Sequence, residues 1–315
     1  MTGIVSDVRR PSRRLVFAAT IGAVLLMGIC YPAIKLGLPH ASPLLFGGMR
    51  SVLGGSALLL AAVVIKGSAW PPARLAGWIL PLGLVATALT YGLMFSSPAF
   101  TSSGLSSVLG NTQPLFLTLL GVIVIGEPLT KYRLLGLSIG FAGVILLATT
   151  QSFHPSDRTQ EGILLAVGTA AAASVASIWV KALKPGKHLI ALTGWQLVVG
   201  GIFLLVLSRL LGESGAVHFD ANFIVLLALL SLGSTAAATF LWFWALQHGD
   251  ASELGRFLFL APVFGVALAV AWIGESLDLW EMAGMLLIVL SLLFAKASGR
   301  TSDSGNREIE RKGAV

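Results

Sequence analysis

Two stretches of the chain, 148 residues apart, have nearly the same sequence: Pro114–Leu129 reads PLFLTLLGVIVIGEPL and Pro262–Leu277 reads PVFGVALAVAWIGESL. Each begins with a proline inside an apolar run and closes on Gly-Glu. Extending the alignment to residues 114–136 and 262–284 gives nine identities in 23 positions. An apolar bias accounts for matching Leu and Val, but not for Pro, Gly-Glu and a later Gly in register. The sequence therefore contains an internal repeat.

The composition indicates a membrane protein. Of the 315 residues, 56% are hydrophobic and 11% are charged, whereas a soluble domain carries about 25% charged residues. Apolar runs of about 18 residues or more, the length that spans a bilayer, fill most of the chain. The net charge of +7 comes from basic residues in short segments between these runs, without interleaved aromatics. We therefore expect a bilayer and no nucleic acid as partner.

The apolar runs predict ten spanning helices joined by short connections. If the N-terminus is cytoplasmic, 17 of the 21 Lys and Arg residues lie on the inner side and three on the outer side. This asymmetry predicts that both termini face the cytoplasm of a multi-pass protein of the cytoplasmic (inner) membrane. The predicted spans are residues 15–36, 44–65, 76–96, 102–125, 131–149, 161–181, 189–211, 222–246, 251–273 and 278–297.

The repeat extends over the whole membrane region. At an offset of 146, Lys35 pairs with Lys181, and Gly54-Gly55 pairs with Gly200-Gly201. Each copy has five spans, and because five is odd the second copy enters the membrane with opposite orientation. The predicted fold is thus an all-α integral membrane protein of ten transmembrane helices, built as two inverted five-helix repeats. The predicted units are a cytoplasmic segment (1–14), a first repeat (15–149), an external linker (150–160), a second repeat (161–297) and a disordered cytoplasmic tail (298–315).

The repeated motifs resemble those of the EamA family in the drug/metabolite transporter superfamily. ALQHGDASELGRFLFLAPVFGVALAVAWIGESL, which ends at Leu277, carries an Ala-Leu pair, a Gly-Asp-Ala corner, an apolar run to Pro and a final Gly-Glu. SSPAFTSSGLSSVLGNTQPLFLTLLGVIVIGEPL repeats the pattern in the first half. MGICYPAIK is similar to the family pattern Trp-Gly-x-x-Phe-x-x-x-Lys through Gly28 and Lys35, with Met27 in place of Trp and Tyr31 in place of Phe.

The resemblance implies a carrier of small metabolites, commonly an exporter of amino acids or related compounds. Such a carrier works by alternating access, in which one half moves against the other around a central site. The departures at Met27 and Tyr31 imply a different cargo if those positions contact it. The direction of transport stays open between export and import, and drugs are a further class of cargo. A membrane enzyme or a scaffold is the remaining alternative.

Two basic residues are candidates for the site. Arg50 lies about two turns inside the second span, where an unpaired charge costs several kcal/mol. It either binds a carboxylate or phosphate in a cavity, or snorkels outward or bonds helix carbonyls. Lys35 lies nearer the outer end of the first span, where it either contacts the cargo or snorkels to the membrane surface. Cationic residues and amides without a mid-span carboxylate favour anionic or zwitterionic cargo.

Polar and aromatic side chains within the spans are further candidates for lining a cavity, because they are unfavourable against lipid. Pro114 and Pro262 lie near the middle of their spans, where each lacks the amide that bonds the carbonyl four residues earlier. They are predicted hinges, or kinks that only improve packing. The cavity candidates are Tyr31, Lys35, Arg50, Tyr91, Asn111, Gln113, Trp179 and Trp242.

Four charged residues at span ends have predicted structural or gating roles. Glu127 and Glu275 each end a span, where the helix dipole disfavours a carboxylate and a partner is needed. Glu253 and Arg256 lie about one turn apart and are expected to pair with each other.

No cofactor or metal is predicted. The five His residues lie in loops or at span ends without metal-ligand spacing, and the chain has no Walker-type phosphate loop. The single cysteine excludes a disulfide within the chain. We therefore expect no enzyme and no direct ATP use, but a carrier of a small molecule that is a monomer or a homodimer.

Overall fold

The computed structural model describes residues 11–125, 131–150, 158–213, 217–274, 278–280, 282–287 and 290–291. The secondary structure of these residues is helical, with no strand among them, which confirms the all-helical class. The helices are α1 (Arg13–Gly37), α2 (Pro43–Lys66), α3 (Ala73–Phe100), α4 (103–125), α5 (Lys131–Thr150), α6 (Thr159–Leu183), α7 (Gly186–Leu210), α8 (Ala221–His248) and α9 (251–273). Seven of them, α1 to α4 and α6 to α8, are long and apolar enough to cross a membrane.

Short-range signals set the helix ends. The Ser12 hydroxyl accepts from the Leu15 amide at the start of α1, and the Asp220 carboxylate accepts from the Phe223 amide at the start of α8. Both satisfy amides that a first turn otherwise leaves unpaired. α2 begins with Pro43 and is followed by Gly67 at φ 69°, which a residue with a Cβ adopts only with strain. The seven spans lie within a few residues of their predicted positions.

The two halves are interrupted at matching places. In α3 a π-helical stretch, Gly83–Leu89, precedes the helix Thr90–Phe100; in α8 a π-helical stretch, Leu229–Ala237, precedes Ala238–His248. The segments Thr90–Phe100 and Ala238–His248 correspond at an offset of 148 residues at both ends. α4 and α9 end in π-helical stretches at the same offset, Gly121–Ile125 and Ala269–Ile273. The repeat in the sequence is therefore matched by a repeat of backbone conformation.

The corresponding helices α2 and α7 pack against each other in opposite directions. A Cβ added to Gly48 would lie 3.1 Å from the Gly201 carbonyl oxygen, and one added to Gly55 would lie 2.7 Å from that of Gly194. As residue numbers rise along α2, the contacting numbers fall along α7, so the helices are antiparallel. Glycines at these positions allow the two backbones to touch.

The other contacts are exchanged between the halves. α1 packs against α8, and its counterpart α6 packs against α3; α1 also packs against α9, and α6 against α4. Tyr91 and Thr239, which correspond at an offset of 148, meet directly: their hydroxyl oxygens are 3.1 Å apart. α3 and α8 therefore meet at this hydrogen bond.

Candidate substrate-binding site

The helix α4 is broken just before the repeated motif. Its first segment ends at Gly110 and the second begins at Gln113. In the intervening turn, the amide and hydroxyl of Thr112 both donate to the Leu109 carbonyl, at 3.1 and 2.6 Å. Pro114 thus occupies the first turn of a new segment, where a missing amide loses no bond. The helix is therefore interrupted within the span in which the sequence placed Pro114, in the turn just before this proline.

α9 is broken in the corresponding region. It consists of Ala251–Gly255, a 3₁₀ stretch Arg256–Phe259 and Leu260–Leu268, so that Pro262 also falls in a first turn. The side chain of Pro262 lies outside the described residues. The hinge role of both prolines stays a prediction.

A polar cluster joins the break in α4 to α6 and α8. The Ser177 hydroxyl accepts from Gln113 Nε2 at 3.1 Å and from Trp242 Nε1 at 3.0 Å. The Ser174 hydroxyl, one turn earlier on α6, donates to the Gln113 carbonyl at 3.0 Å. Asn111 bonds only locally in this region, through Nδ2 to the Ser107 carbonyl at 2.7 Å. Two of the predicted cavity residues, Gln113 and Trp242, therefore meet at one hydroxyl.

Arg50 lies at the centre of the bundle with 1% of its surface exposed. Its Nε donates to the Thr235 hydroxyl. Its Nη2 lies 3.5 Å from Cys30 Sγ and donates to the Ser234 carbonyl at 3.3 Å. These partners belong to α1 and α8, so the guanidinium connects the two halves.

Aromatic rings cover the guanidinium of Arg50. Its Cζ lies 4.9 Å from the centroid of the Tyr91 ring and 5.2 Å from that of Phe95. Such contacts contribute about 2 kcal/mol for a desolvated cation. They do not neutralise the charge, and Arg50 makes no ion pair with any residue in the described part of the chain.

One nitrogen of Arg50 is left without a partner. Nη1 is buried and makes no hydrogen bond to any described residue. A buried polar group in this state costs about 1–3 kcal/mol, and more when it is charged. The Tyr31 hydroxyl is packed against Gly110 at the break in α4; it lies within reach of Thr169 but makes no hydrogen bond of ordinary geometry among the described residues. Arg50 Nη1 and the Tyr31 hydroxyl are thus two buried donors without an acceptor among the described residues.

Lys35 has a different environment. Its Nζ donates to the carbonyls of Pro98, at 2.6 Å, and Thr101, at 3.2 Å, where the last segment of α3 ends. A cation at a helix C-terminus is favoured by the unpaired carbonyls there. Lys35 thus bonds the carbonyls at the end of α3, whereas Arg50 bonds α8 and Cys30 of α1.

Of the other predicted residues, Trp179 has a described contact, and the four charged residues at span ends do not. Trp179 packs edge-on against Trp78, with centroids 5.7 Å apart. The backbones of Glu253 and Arg256 are helical, but their side chains lie outside the described residues. Glu127 and Glu275 also lie outside them.

Several site residues were missed because their residue types carry little signal. Ser177, Ser174 and Thr235 are small polar residues in apolar helices, where most such hydroxyls bond the carbonyl four residues earlier. The one usable signal was the repeat itself, since Ser177 corresponds to Tyr31 at an offset of 146.

The chain matches a known protein family in both halves. The EamA-like transporter family matches residues 14–149 and 160–296. The chain belongs to the EamA-like transporter family. This confirms the family that the motifs resemble and the expectation of a transporter rather than an enzyme, because the family and its named relatives are transporters.

Named relatives align with almost the whole chain. The chain is 27% identical to "Uncharacterized transporter YvbV" of Bacillus subtilis over 92% of this chain and 94% of that protein. It is 28% identical to "Probable amino-acid metabolite efflux pump" of Salmonella typhimurium over 89% and 94%. A solved crystal structure is also similar, with a TM-score of 0.70 and 20% identity over 92% of this chain and 99% of that one; it supports the fold alone.

Proposed function

We propose that this EamA-like transporter is a secondary carrier that exports small metabolites bearing a carboxylate, such as amino acids, by alternating access. The observation that carries the proposal is the buried guanidinium of Arg50, whose Nη1 has no partner among the described residues. A carboxylate accepts two parallel hydrogen bonds from an arginine. Cargo with this group would therefore supply both the missing acceptor and the missing negative charge.

The position of Arg50 supports a role in transport. Its hydrogen bond to Thr235 links α2 of the first half to α8 of the second. A carboxylate that accepts parallel bonds from Nη1 and Nη2 competes with the Ser234 carbonyl of α8 for Nη2, so binding would change a contact between the halves. Alternating access requires such a coupling between cargo and the relative position of the halves.

Export is the proposed direction. Support comes from the name of the Salmonella relative, an efflux pump for amino-acid metabolites. Import through the same fold is the alternative, since gradients decide the direction of a secondary carrier.

The proposal includes ten spans in two inverted repeats, with both termini in the cytoplasm of a bacterial inner membrane. The antiparallel α2–α7 contact and the exchanged contacts between halves support it. Lys131 and Asp278, both exposed, lie just after the two repeated motifs. In a Cys30→Ser background, an impermeant maleimide added to intact cells should label Asp278→Cys, and should label Lys131→Cys only after permeabilisation. Labelling of both from one side would contradict the inverted arrangement.

Counterflow in proteoliposomes tests the transport activity. Vesicles loaded with an unlabelled L-amino acid should accumulate the same amino acid in radioactive form, with and without a pH gradient. The panel holds amino acids, their matching amines and simple carboxylates, with protein-free vesicles as control. Movement of the amines alone, or of no member of the panel, would refute a carrier of carboxylates.

A further inference from the structure

A second group of buried polar atoms lies at the interface of α3 and α7. Gln196 Oε1, Thr193 Oγ1 and Thr87 Oγ1 are each buried and make no hydrogen bond to any residue that the structure describes. The exposed fractions of these residues are at most 1%. Thr193 and Gln196 are three residues apart and so share one face of α7. Three buried oxygens without a partner among the described residues call for a hydrogen-bond donor from outside the described chain, either water or a ligand.

The two helices touch closely at this group. A Cβ added to Gly83 of α3 would lie 3.2 Å from the Gln196 carbonyl oxygen, and one added to Gly200 of α7 would overlap Thr87. Gly200 lies one turn after Gln196, so the side-chain amide of Gln196 and the Thr87 hydroxyl both lie at this crossing of α3 and α7.

This group occupies the position that corresponds to Arg50. Gln196 matches Arg50 at an offset of 146, and Thr87 matches Thr235 at an offset of 148. The local geometry also matches: Gly54, one turn after Arg50, approaches Thr235, and a Cβ added to Gly54 would lie 3.2 Å from the Thr235 Cβ. In the first pair the side chains are bonded, whereas in the second pair both oxygens are unpaired.

Both positions lie at nearly the same level of the bundle. Residue 50 falls between the contact glycines Gly48 and Gly55, and residue 196 falls between their partners Gly194 and Gly201 on the antiparallel helix. The hydrogen bond between Tyr91 and Thr239 lies between α3 and α8, which both positions adjoin.

We propose that Gln196, Thr87 and Thr193 form a second, uncharged subsite that binds the ammonium group of the cargo whose carboxylate Arg50 holds. Oxygens of an amide and two hydroxyls accept the three hydrogen bonds that an ammonium donates. The proposal rests on the proposed function, because it assigns the other end of the same cargo.

The test compares an amino acid with its analogue that lacks only the amino group. Binding of L-leucine and of 4-methylpentanoate is measured by calorimetry on the purified full chain in lipid nanodiscs. We expect the wild type to bind L-leucine about tenfold more tightly than 4-methylpentanoate, because only L-leucine has an ammonium group that can donate charged hydrogen bonds to the subsite. Gln196→Met and Thr87→Val should each remove most of this preference and change the 4-methylpentanoate affinity less than about twofold.

Matched variants separate this effect from misfolding. Thr87→Ser keeps a hydroxyl and should keep the preference. Thr20→Val removes a buried hydroxyl that already donates to the Val16 carbonyl at 2.8 Å, and should leave the preference unchanged. If Thr87→Val does not fold, Gln196→Met and Thr193→Val decide the result.

Three results would overturn the subsite. The first is a wild type with no preference for L-leucine, including a wild type that binds neither compound. The second is a full preference in the variants, which would mean that the oxygens bind water only. The third is an equal loss of affinity for both compounds in the variants. Failure of the carboxylate site has a different signature, because Arg50→Gln would then leave the affinity for 4-methylpentanoate unchanged.

Discussion

The two halves of the molecule keep the same lysine but differ at the buried position. Lys35 and Lys181, which correspond at an offset of 146, both donate to a carbonyl where a helix ends: Lys35 to Thr101 and Lys181 to Gly249, each at 3.2 Å. Thr101 and Gly249 also correspond, at an offset of 148. Arg50, in contrast, corresponds to Gln196. We infer that positions shared by the two copies maintain the fold, and that the position where they diverge determines the cargo.

Arg50→Gln gives the first copy the residue of the second and should have the largest effect. The variant keeps hydrogen-bonding capacity but loses the charge that a carboxylate needs. We expect carboxylate uptake in the counterflow assay to fall by about 100-fold, or about 2.7 kcal/mol. Arg50→Lys keeps the charge but loses the planar guanidinium, so its carboxylate uptake should lie between that of wild type and that of Arg50→Gln. Equal transport by wild type and Arg50→Gln would mean that the difference between the copies does not concern cargo.

Gly55→Val and Gly201→Val disturb a contact that both copies share, so they should act alike. Cβ atoms at these positions would lie 2.7 Å from the Gly194 carbonyl oxygen and 2.9 Å from the Ser51 Cβ. Overpacking of this kind costs about 1–3 kcal/mol, and more when the backbone must move. Thermal unfolding in detergent should show a lower Tm for both. Gly22→Val is the control, because its Cβ would meet only Leu241 Cδ1, at 3.8 Å. A normal Tm for either variant would contradict the close crossing of α2 and α7.

The sequence predicted the features of the fold that depend on the length of apolar runs and on the internal repeat. Apolar runs of bilayer length predicted the seven spans, and the offset of 146 matches Gly55 with Gly201, which both lie in the α2–α7 contact. The motif Pro…Gly-Glu indicated the family. These signals are strong because a lipid environment and a duplicated chain constrain many residues at once.

The sequence could not predict which side chains meet. Arg50 was left between two roles because its depth in α2 says nothing about its neighbours on α8, 185 residues away in sequence for Thr235. The proline at 114 predicts an interruption of its span, but not that the interruption is a turn at Asn111 and Thr112, before the proline. Ser177 has a residue type that is common in spans, and the sequence does not show that Gln196 faces α3.

Lys35→Met and Lys181→Met remove a fold-maintaining contact from each copy and should have modest, equal effects. Each loses a charged hydrogen bond to a helix end, for which we expect about 1 kcal/mol in this half-buried setting. Chemical unfolding in detergent should give additive losses in the double variant, because Lys35 bonds the end of α3 and Lys181 the residue after α8. Transport per folded molecule should stay within about twofold of wild type. Arg14→Met, at an exposed site, is the control for lost charge. A selective loss of transport in Lys35→Met would place Lys35 in the cargo site instead.

The smallest effect concerns a pair of loops that differs between the copies. The loop before α8 carries Asp220, whose Oδ2 lies 3.2 Å from His40 Nε2; the loop before α3 instead contacts α7 through Trp70 and Trp195, with ring centroids 4.9 Å apart. The hydrogen bond from the Phe223 amide, aided by His40, lowers the pKa of Asp220 below its usual value of 3.8.

A lowered pKa in the folded state means that Asp220 stabilises the fold fully above its usual pKa, and that this contribution disappears as the pH falls through the folded-state pKa. Asp220→Asn should therefore unfold slightly earlier than wild type at pH 7, and the difference in Tm should shrink to nothing as the pH falls well below 3.8. Trp70→Leu alters the corresponding loop without a titrating group, so any loss of Tm it causes should not depend on pH in this range. A Tm difference between wild type and Asp220→Asn that persists undiminished in acid would show that the carboxylate contributes through its shape rather than its charge. Neither loop would then stabilise the fold through a charge.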